Sequence, residues 1–391
     1  MAKNIFPYEL PKNWQWSTLG DVCNLSQGEK LSAKKLPYFN VKYLRGTNEK
    51  NFVESGNYVE EGSKLILVDG ENSGEIFTVK ENGYMGSTLR ELKIFETVDA
   101  DFFQYFVSTK KELYRKNKRG SAIPHLNKKL FYSTPIPLPP LDEQKRIVAV
   151  IESLFEKLDA AKSIVQKILD GYELRRAAIL HKAFTGELTK NFRADNGLTL
   201  DDWQEKKLGD VIELSTPKTN SFNEHLKYVG LENISKDNGK ITFQSAAEVK
   251  STKNIFHSGD LLYGKLRPYL NKHGIPNFDG VCSTDILVLN ANELSTNEFI
   301  NYFFSLPTFV EYVVSNSKGI NLPRVSAQVI LNAEINLPPL SEQKEIVRVL
   351  DRLLNKEQRT KEIAEKILLE IDLLKRTILA RAFRGALGTN N

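Results

Sequence analysis

The sequence predicts an α+β protein written twice: two similar mixed domains separated by two long helices that form an antiparallel coiled coil, with a pseudo-twofold internal repeat. Three observations carry this. A block at 138–188 returns at 337–387 with 24 of 51 positions identical and no gap. Within each block the apolar residues recur in steps of four and three. Outside the blocks the chain breaks into short apolar runs punctuated by turn dipeptides. Repeats at this level fix the architecture before any local assignment does.

The first domain, residues 1–137, opens with Trp14-Gln15 and Leu19-Gly20-Asp21-Val22. Ile66-Leu67-Val68 and Ile94-Phe95 read as strands, and Asp69-Gly70 and Asn82-Gly83 as turns. Phe102–Tyr114 reads as a short helix. A small twisted sheet with a helix is expected.

Residues 138–188 begin Leu138-Pro139-Pro140-Leu141-Asp142-Glu143-Gln144-Lys145. Ile147, Ile151, Leu154, Leu158, Ala161, Val165, Ile168 and Tyr172 then follow the a/d rhythm of a coiled-coil helix. Asp142 is placed to cap the helix start, Glu143 suits its positive end, and Gly186 suits a stop. Gly171 costs about 1 kcal/mol against alanine and marks a bend. Forty residues at 1.5 Å each make a helix of about 60 Å.

Residues 189–336 hold a linker and the second domain, where Trp203-Gln204, Leu208-Gly209-Asp210-Val211, Tyr228, Gly259, Ser283-Thr284, Gly319 and Pro323 answer Trp14-Gln15, Leu19–Val22, Tyr38, Gly62, Ser87-Thr88, Gly120 and Pro124. Ile286–Leu289 reads as a strand and Asn297–Val314 as a helix. Residues 337–391 are the second long helix and a tail. Its stripe runs Ile346, Leu350, Leu353, breaks at Glu357 and Thr360, and resumes at Ala364, Ile367, Ile371, Leu374 and Ile378. Ser341 stands where Asp142 caps the first copy. Pairing the two stripes removes both from water. The chain returns after a whole domain, so the pairing is antiparallel; the competing arrangement packs each helix on its own domain.

The chain has 391 residues and a net charge of +5. That is mildly basic and compatible with nucleic acid. From Lys110 to Lys129 there are eight basic residues and one acid, whereas 189–336 carries 15 basic and 17 acidic residues. The basic run reads either as a solvated face or as a phosphate-contacting loop. With no apolar run of eighteen residues, no membrane span is expected. The start lacks the apolar stretch of a signal peptide, and Cys23 and Cys282 read as ordinary thiols, so a cytoplasmic location is the default.

No catalytic constellation stands out. There is no P-loop, no Gly-rich cofactor loop after a strand, and no ligand spacing among the five histidines. Glu143-Gln144-Lys145 imitates the Glu-x-Lys of metal-dependent nucleases, but a helix start explains it better.

The doubled Leu-Pro-Pro-Leu-x-Glu-Gln-Lys, each copy followed by a long helix ending in Ala-Phe-x-Gly, and the Trp-x4-Leu-Gly-Asp-Val openings at Trp14 and Trp203 resemble the specificity subunits of type I DNA restriction–modification enzymes. So does Ser258–Leu270, which contains Lys265-Leu266-Arg267-Pro268, followed by Gly280–Asp285. In the first domain Val68–Gly74 stands where Lys-x-Arg-Pro would be. The resemblance implies two target-recognition domains, each reading half of a split site on double-stranded DNA. It implies two methyltransferase (modification) subunits and motor-restriction subunits as partners. S-adenosylmethionine, ATP and Mg would belong to those partners, leaving this chain non-catalytic and without a cofactor or metal. The rival reading is a coiled-coil adaptor that binds only proteins.

Base-edge contacts specify and phosphate contacts position. The candidate DNA-binding residues are Lys265, Arg267, Tyr269 and Arg324 in the second domain. Arg267 suits either a bidentate contact to guanine or a salt bridge within the fold. In the first domain the candidates are Lys118, Arg119 and His125 in the matching loop, with Asn72 and Arg90. Tyr43, Tyr228 and the tryptophans read as scaffold.

Overall fold

The computed structural model of the chain describes residues 8–118, 124–236 and 239–387. The chain divides into two compact units, Met1–Gln166 with Lys366–Asn391, and Lys167–Glu365.

Each unit is built on the same frame. A two-stranded ribbon closes the domain onto its helix start: Gln15–Thr18 pairs with Pro135–Leu138, and Gln204–Lys207 with Glu334–Leu337. A four-stranded antiparallel sheet follows. In the first unit its order is Cys23–Ser26, Leu89–Ile94, Lys64–Leu67, Ile76–Thr78; in the second it is Ile212–Leu214, Ile286–Ala291, Leu261–Gly264, His273–Gly274. The central strands Lys64–Leu67 and Leu261–Gly264 are buried throughout, so Lys-Leu-Ile-Leu and Leu-Leu-Tyr-Gly lack the polar–apolar alternation of a half-buried strand.

A second sheet in each unit goes beyond the single small sheet expected. In the first unit Glu29–Phe39, Phe52–Val59 and Gly83–Met85 pair with one another around a bulge between Ser32 and Leu36. In the second, five short strands occupy the same place, with Tyr228↔Val281 answering Tyr38↔Tyr84. These strands are short, polar or lysine-rich, so periodicity gives little sign of them. Both expected domain helices are divided. Ala100–Thr109 and Lys111–Lys116 meet at Lys110. Asn297–Phe304 and Pro307–Ser315 are separated because Pro307 begins a new helix and holds Leu306 extended.

The backbone confirms most of the internal equivalences and shifts one. Gly62 and Gly259 both have positive φ, and their amides donate to the Val79 and Pro276 carbonyls. Ser283 N–H donates to the Val229 carbonyl as Gly86 N–H does to Phe39. Gly86 therefore matches Ser283, and Ser87 matches Thr284, one residue away from the Ser-Thr alignment read in the sequence.

The first long helix runs Leu141–Asp170, is interrupted at Gly171, and continues Tyr172–Phe184; the second runs unbroken from Leu340 to Ala382. Each starts one residue before the capping position assigned from sequence. The Pro140 and Pro339 carbonyls accept from the Gln144 and Gln343 amides, so the prolines are the caps. Asp142 and Ser341 lie inside the first turn.

The partnering is antiparallel in both units. In the first, Lys375 pairs with Asp159 at 2.5 Å and Lys162 with Asp372 at 3.1 Å. In the second, Arg175 pairs with Glu357 at 2.8 Å, and the Tyr172 hydroxyl donates to Gln358 at 2.9 Å. The break in the second stripe is thus a polar layer around the buried Tyr172. Ile147, Ile151, Ile346, Leu350, Ala364 and Ile371 are buried as the rhythm requires, whereas Ile367 and Leu374 are exposed.

The ends of the helices explain the doubled motifs. Buried Gln144 accepts from Asp99 N–H and donates to the Thr97 and Pro139 carbonyls. Buried Gln343 accepts from the Ser295 hydroxyl and donates to the Leu294 and Pro338 carbonyls. Phe383 packs edge-on against Phe102 and Phe106, and Phe184 packs against Phe299 and Phe303. Gly186 and Gly385 turn the chain at φ 78° and 72°. No described helix is long and apolar enough to cross a membrane.

Candidate nucleic-acid interface

In the second unit the site begins where the buried strand Leu261–Gly264 runs out into Lys265-Leu266-Arg267-Pro268. A loop returning from Asn316 pairs with this segment. Val325 N–H donates to Lys265 O at 3.0 Å, Arg267 N–H donates to Pro323 O at 2.7 Å, and Leu266 bridges Arg324. Lys318 and Arg324 exchange two backbone hydrogen bonds, closing a hairpin.

These contacts bring Lys265 and Arg324 to one groove of about 770 Å³. Lys218, Asn254, Asn316 and Lys318 line it with them, and no carboxylate does so among the described residues. The Arg324 guanidinium meets Asp285 at 3.2 Å, which aims it without burying it. Four cations around an open groove attract a polyanion. Lys218 and Lys318 were missed from sequence. Lys318 was findable as the neighbour of Gly319 in the loop already chosen; Lys218 reaches the groove only through strand pairing.

Arg267 carries a further signal. It is exposed and sits at φ 53°, in the left-handed region. A non-glycine residue there costs about 1–2 kcal/mol. The equivalent residue in the first unit is a glycine: Gly70 N–H donates to Pro124 O at 2.7 Å, and its φ is 116°. Among the described residues no side-chain partner holds the Arg267 guanidinium. Strain retained for an exposed, unpaired cation points to a use outside the fold. Tyr269 is half exposed in the turn Pro268–Leu270, which packs on the helix Pro307–Ser315; neither it nor Arg267 lines the groove.

The first unit repeats the frame with other side chains. Leu126 N–H donates to Val68 O at 2.7 Å, and Asp69 bridges His125. Val68 therefore stands where Lys265 does, Gly70 at Arg267, and His125 at Arg324. His125 Nδ1 lies 2.6 Å from Asp69 Oδ1. Lys118 pairs with Glu71 at 2.7 Å, and this ammonium holds the Glu71 carboxyl below its ordinary pKa. Asn72 is half-buried in the same turn. Lys118 and His125 thus both meet the Asp69–Asn72 turn, through Glu71 and Asp69. Arg90 lies on the strand Leu89–Ile94 opposite Ile66, and its guanidinium donates to the Ser87 and Leu89 carbonyls. Arg119 lies outside the described residues.

The nuclease-like Glu-Gln-Lys has a structural role. Glu342 is fully buried, accepting from Arg193 at 2.5 Å, the Thr189 hydroxyl at 2.6 Å and Trp203 Nε1 at 2.9 Å. Glu143 in the first copy pairs with Arg146 near the surface. Among the described residues no group of three or more His, Cys, Asp or Glu could hold a metal ion. Cys23 and Cys282 are buried free thiols whose pKa burial pushes up to about 12, far from nucleophilic.

Comparison with known proteins bears on this interface. The family model of the type I restriction modification DNA specificity domain matches residues 11–169 and 200–369. The chain is 27% identical to the type I restriction enzyme MjaVIII specificity subunit of Methanocaldococcus jannaschii, over 93% of this chain and 92% of that one. It is 25% identical to the EcoDI specificity subunit of Escherichia coli, over 97% and 90%. The fold is shared with a chain from a structure of type I R-M complex assembly and conformational transition, at TM-score 0.74 and 20% identity over 97% and 100% of the two chains. It is also shared with the HsdS subunit from Thermoanaerobacter tengcongensis, at TM-score 0.63 and 20% identity over 97% and 99%. Twice-matched along its length and on the frame that carries both candidate surfaces, the chain belongs to the family of type I restriction–modification DNA specificity subunits.

Proposed function

We propose that residues 1–137 and 189–336 read the two halves of an asymmetric, bipartite site on double-stranded DNA. The helices of 138–188 and 337–391 set the spacing between readers and dock two modification subunits, with motor-restriction subunits joining the complex. Chemistry then belongs to the partners: adenine N6-methylation with S-adenosylmethionine, and cleavage driven by ATP with Mg. This chain supplies sequence choice and no catalytic group.

The observation that carries this reading is the contrast between frame and side chains. The same three backbone contacts join strand end to loop in both units, yet Lys265, Arg267 and Arg324 are replaced by Val68, Gly70 and His125. Different side chains on one frame are what two readers of different bases require. In this reading Lys265, Arg267, Tyr269 and Arg324 contact one half-site, and Asn72, Arg90, Lys118, Arg119 and His125 the other. The test is to exchange residues 203–336 for the corresponding domain of another specificity subunit and map methylated adenines. One half of the split motif should change while the other half and the gap stay. A change in both halves would sink the two-reader assignment.

A further inference from the structure

We propose that the hairpin tip Gly319–Pro323 is a base-contacting probe, with Ile320 as its apolar point. The proposal rests on the DNA-reading function and adds a specificity-determining residue to it. Ile320 is 101% exposed and Leu322 49% exposed. An isoleucine so placed contributes nothing to the core, and with half-exposed Leu322 two residues on it gives the tip an apolar point.

The tip is held rather than loose. The Lys318–Arg324 backbone pair closes its base, and the Arg267–Pro323 and Lys265–Val325 bonds fix that base to the sheet edge. Val325 is buried, and Asp285 holds the Arg324 side chain. Gly319 turns at φ 106°, and a Cβ there would lie 3.0 Å from Leu322 O.

Charge selects the occupant. The tip rises between Lys318 and Arg324, beside the groove that also holds Lys218 and Lys265. Cations on both flanks suit the two phosphate walls of a groove. Phosphate offers nothing to an isoleucine. The apolar surface on DNA is at the base edges, including the thymine methyl, and between base steps. A tip with cationic flanks and an aliphatic point therefore fits a groove floor. In the sequence of the first domain Ser121 stands at the position of Ile320, between Gly120 and Pro124, while Ile123 matches Leu322, so the two copies differ at the residue proposed as the point.

The test uses the full chain assembled with its modification subunits. Affinities are measured for a duplex bearing the methylome-defined site and for a scrambled duplex. Ile320→Ser should lower the site-to-scrambled ratio by about fivefold or more, the scale of one lost base contact. Scrambled-duplex affinity and Tm should stay unchanged, and Ile320→Val should retain most of the preference. An unchanged ratio in Ile320→Ser overturns the inference and leaves the reader function standing. Loss of modification subunits from Ile320→Ser without DNA also overturns it, by making the tip a protein contact. Absence of any preference in the wild-type complex removes the reader function and this inference together.

Discussion

Glu342→Gln should be among the most destabilising single-atom-scale changes in this protein, and the internal repeat provides its control. The Glu342 carboxylate is the only negative partner of buried Arg193 among the described contacts. It also accepts from Thr189 and from the Trp203 indole. Arg193 Nη2 donates to Gly186 O at 2.7 Å, so the network ties the end of the first long helix to the start of the second within one unit. An amide there strands a buried guanidinium and turns one acceptor into a donor facing the indole N–H. Removing one partner of a buried ion pair costs about 3–5 kcal/mol. For a unit of this size that is on the order of 10 °C in Tm. Glu143→Gln changes the same motif position in the first copy, where the partner Arg146 is exposed, and should cost at most about 1 kcal/mol. Urea unfolding followed by circular dichroism, with hydrogen exchange resolving the two units, separates the cases. Equal losses in the two variants, or a loss below 1 kcal/mol for Glu342→Gln, would refute the buried-network account.

Three further outcomes follow from the geometry. Lys265→Ala and Lys318→Ala should each weaken binding to unrelated duplexes and reduce the slope of log affinity against log salt by about 1, as read from titrations across salt concentrations. Arg267→Gly should leave the fold as stable or up to about 1 kcal/mol more stable, because the left-handed strain disappears, while affinity for the cognate duplex falls; denaturation midpoints and binding curves report the two effects separately. His273 is buried against Asn301 and Ser305, and burial pushes its pKa down to about 4 from 6.5. The unfolded chain therefore takes up the proton first, so this residue's contribution to stability falls as pH drops from about 6.5 to 4 and is constant above that window. The span amounts to about 3 kcal/mol; denaturation of His273→Asn across this range should show an acid loss smaller by that amount, and an identical acid limb would contradict it.

The long helices and their pairing were legible because their signal is periodic and doubled. The domain frame was legible at a few positions whose backbone roles the repeat exposes, such as Gly62 with Gly259. The second sheets were not, because strands as short as Lys218–Thr219 or as polar as Glu29–Phe39 carry no apolar alternation. Capping was misjudged by two residues because the prolines themselves supply the first accepting carbonyls. At the interface, Lys265 and Arg324 could be chosen from motif and loop, but their meeting depends on a pairing 59 residues apart in sequence. Lys218 carries no local mark at all. The value of Arg267 was visible from residue type, whereas the reason to single it out, a cation kept where the other copy has glycine, is a backbone property.

The central claim is that this chain, through two unlike readers, chooses the DNA sequence on which its partners act. Sequencing methylated bases in a host that carries the modification subunit, with and without this chain, tests it most directly. The account predicts that adding the chain creates one new split, asymmetric adenine motif, and that Arg267→Ala alters or abolishes it. No new motif on adding the chain would contradict the account.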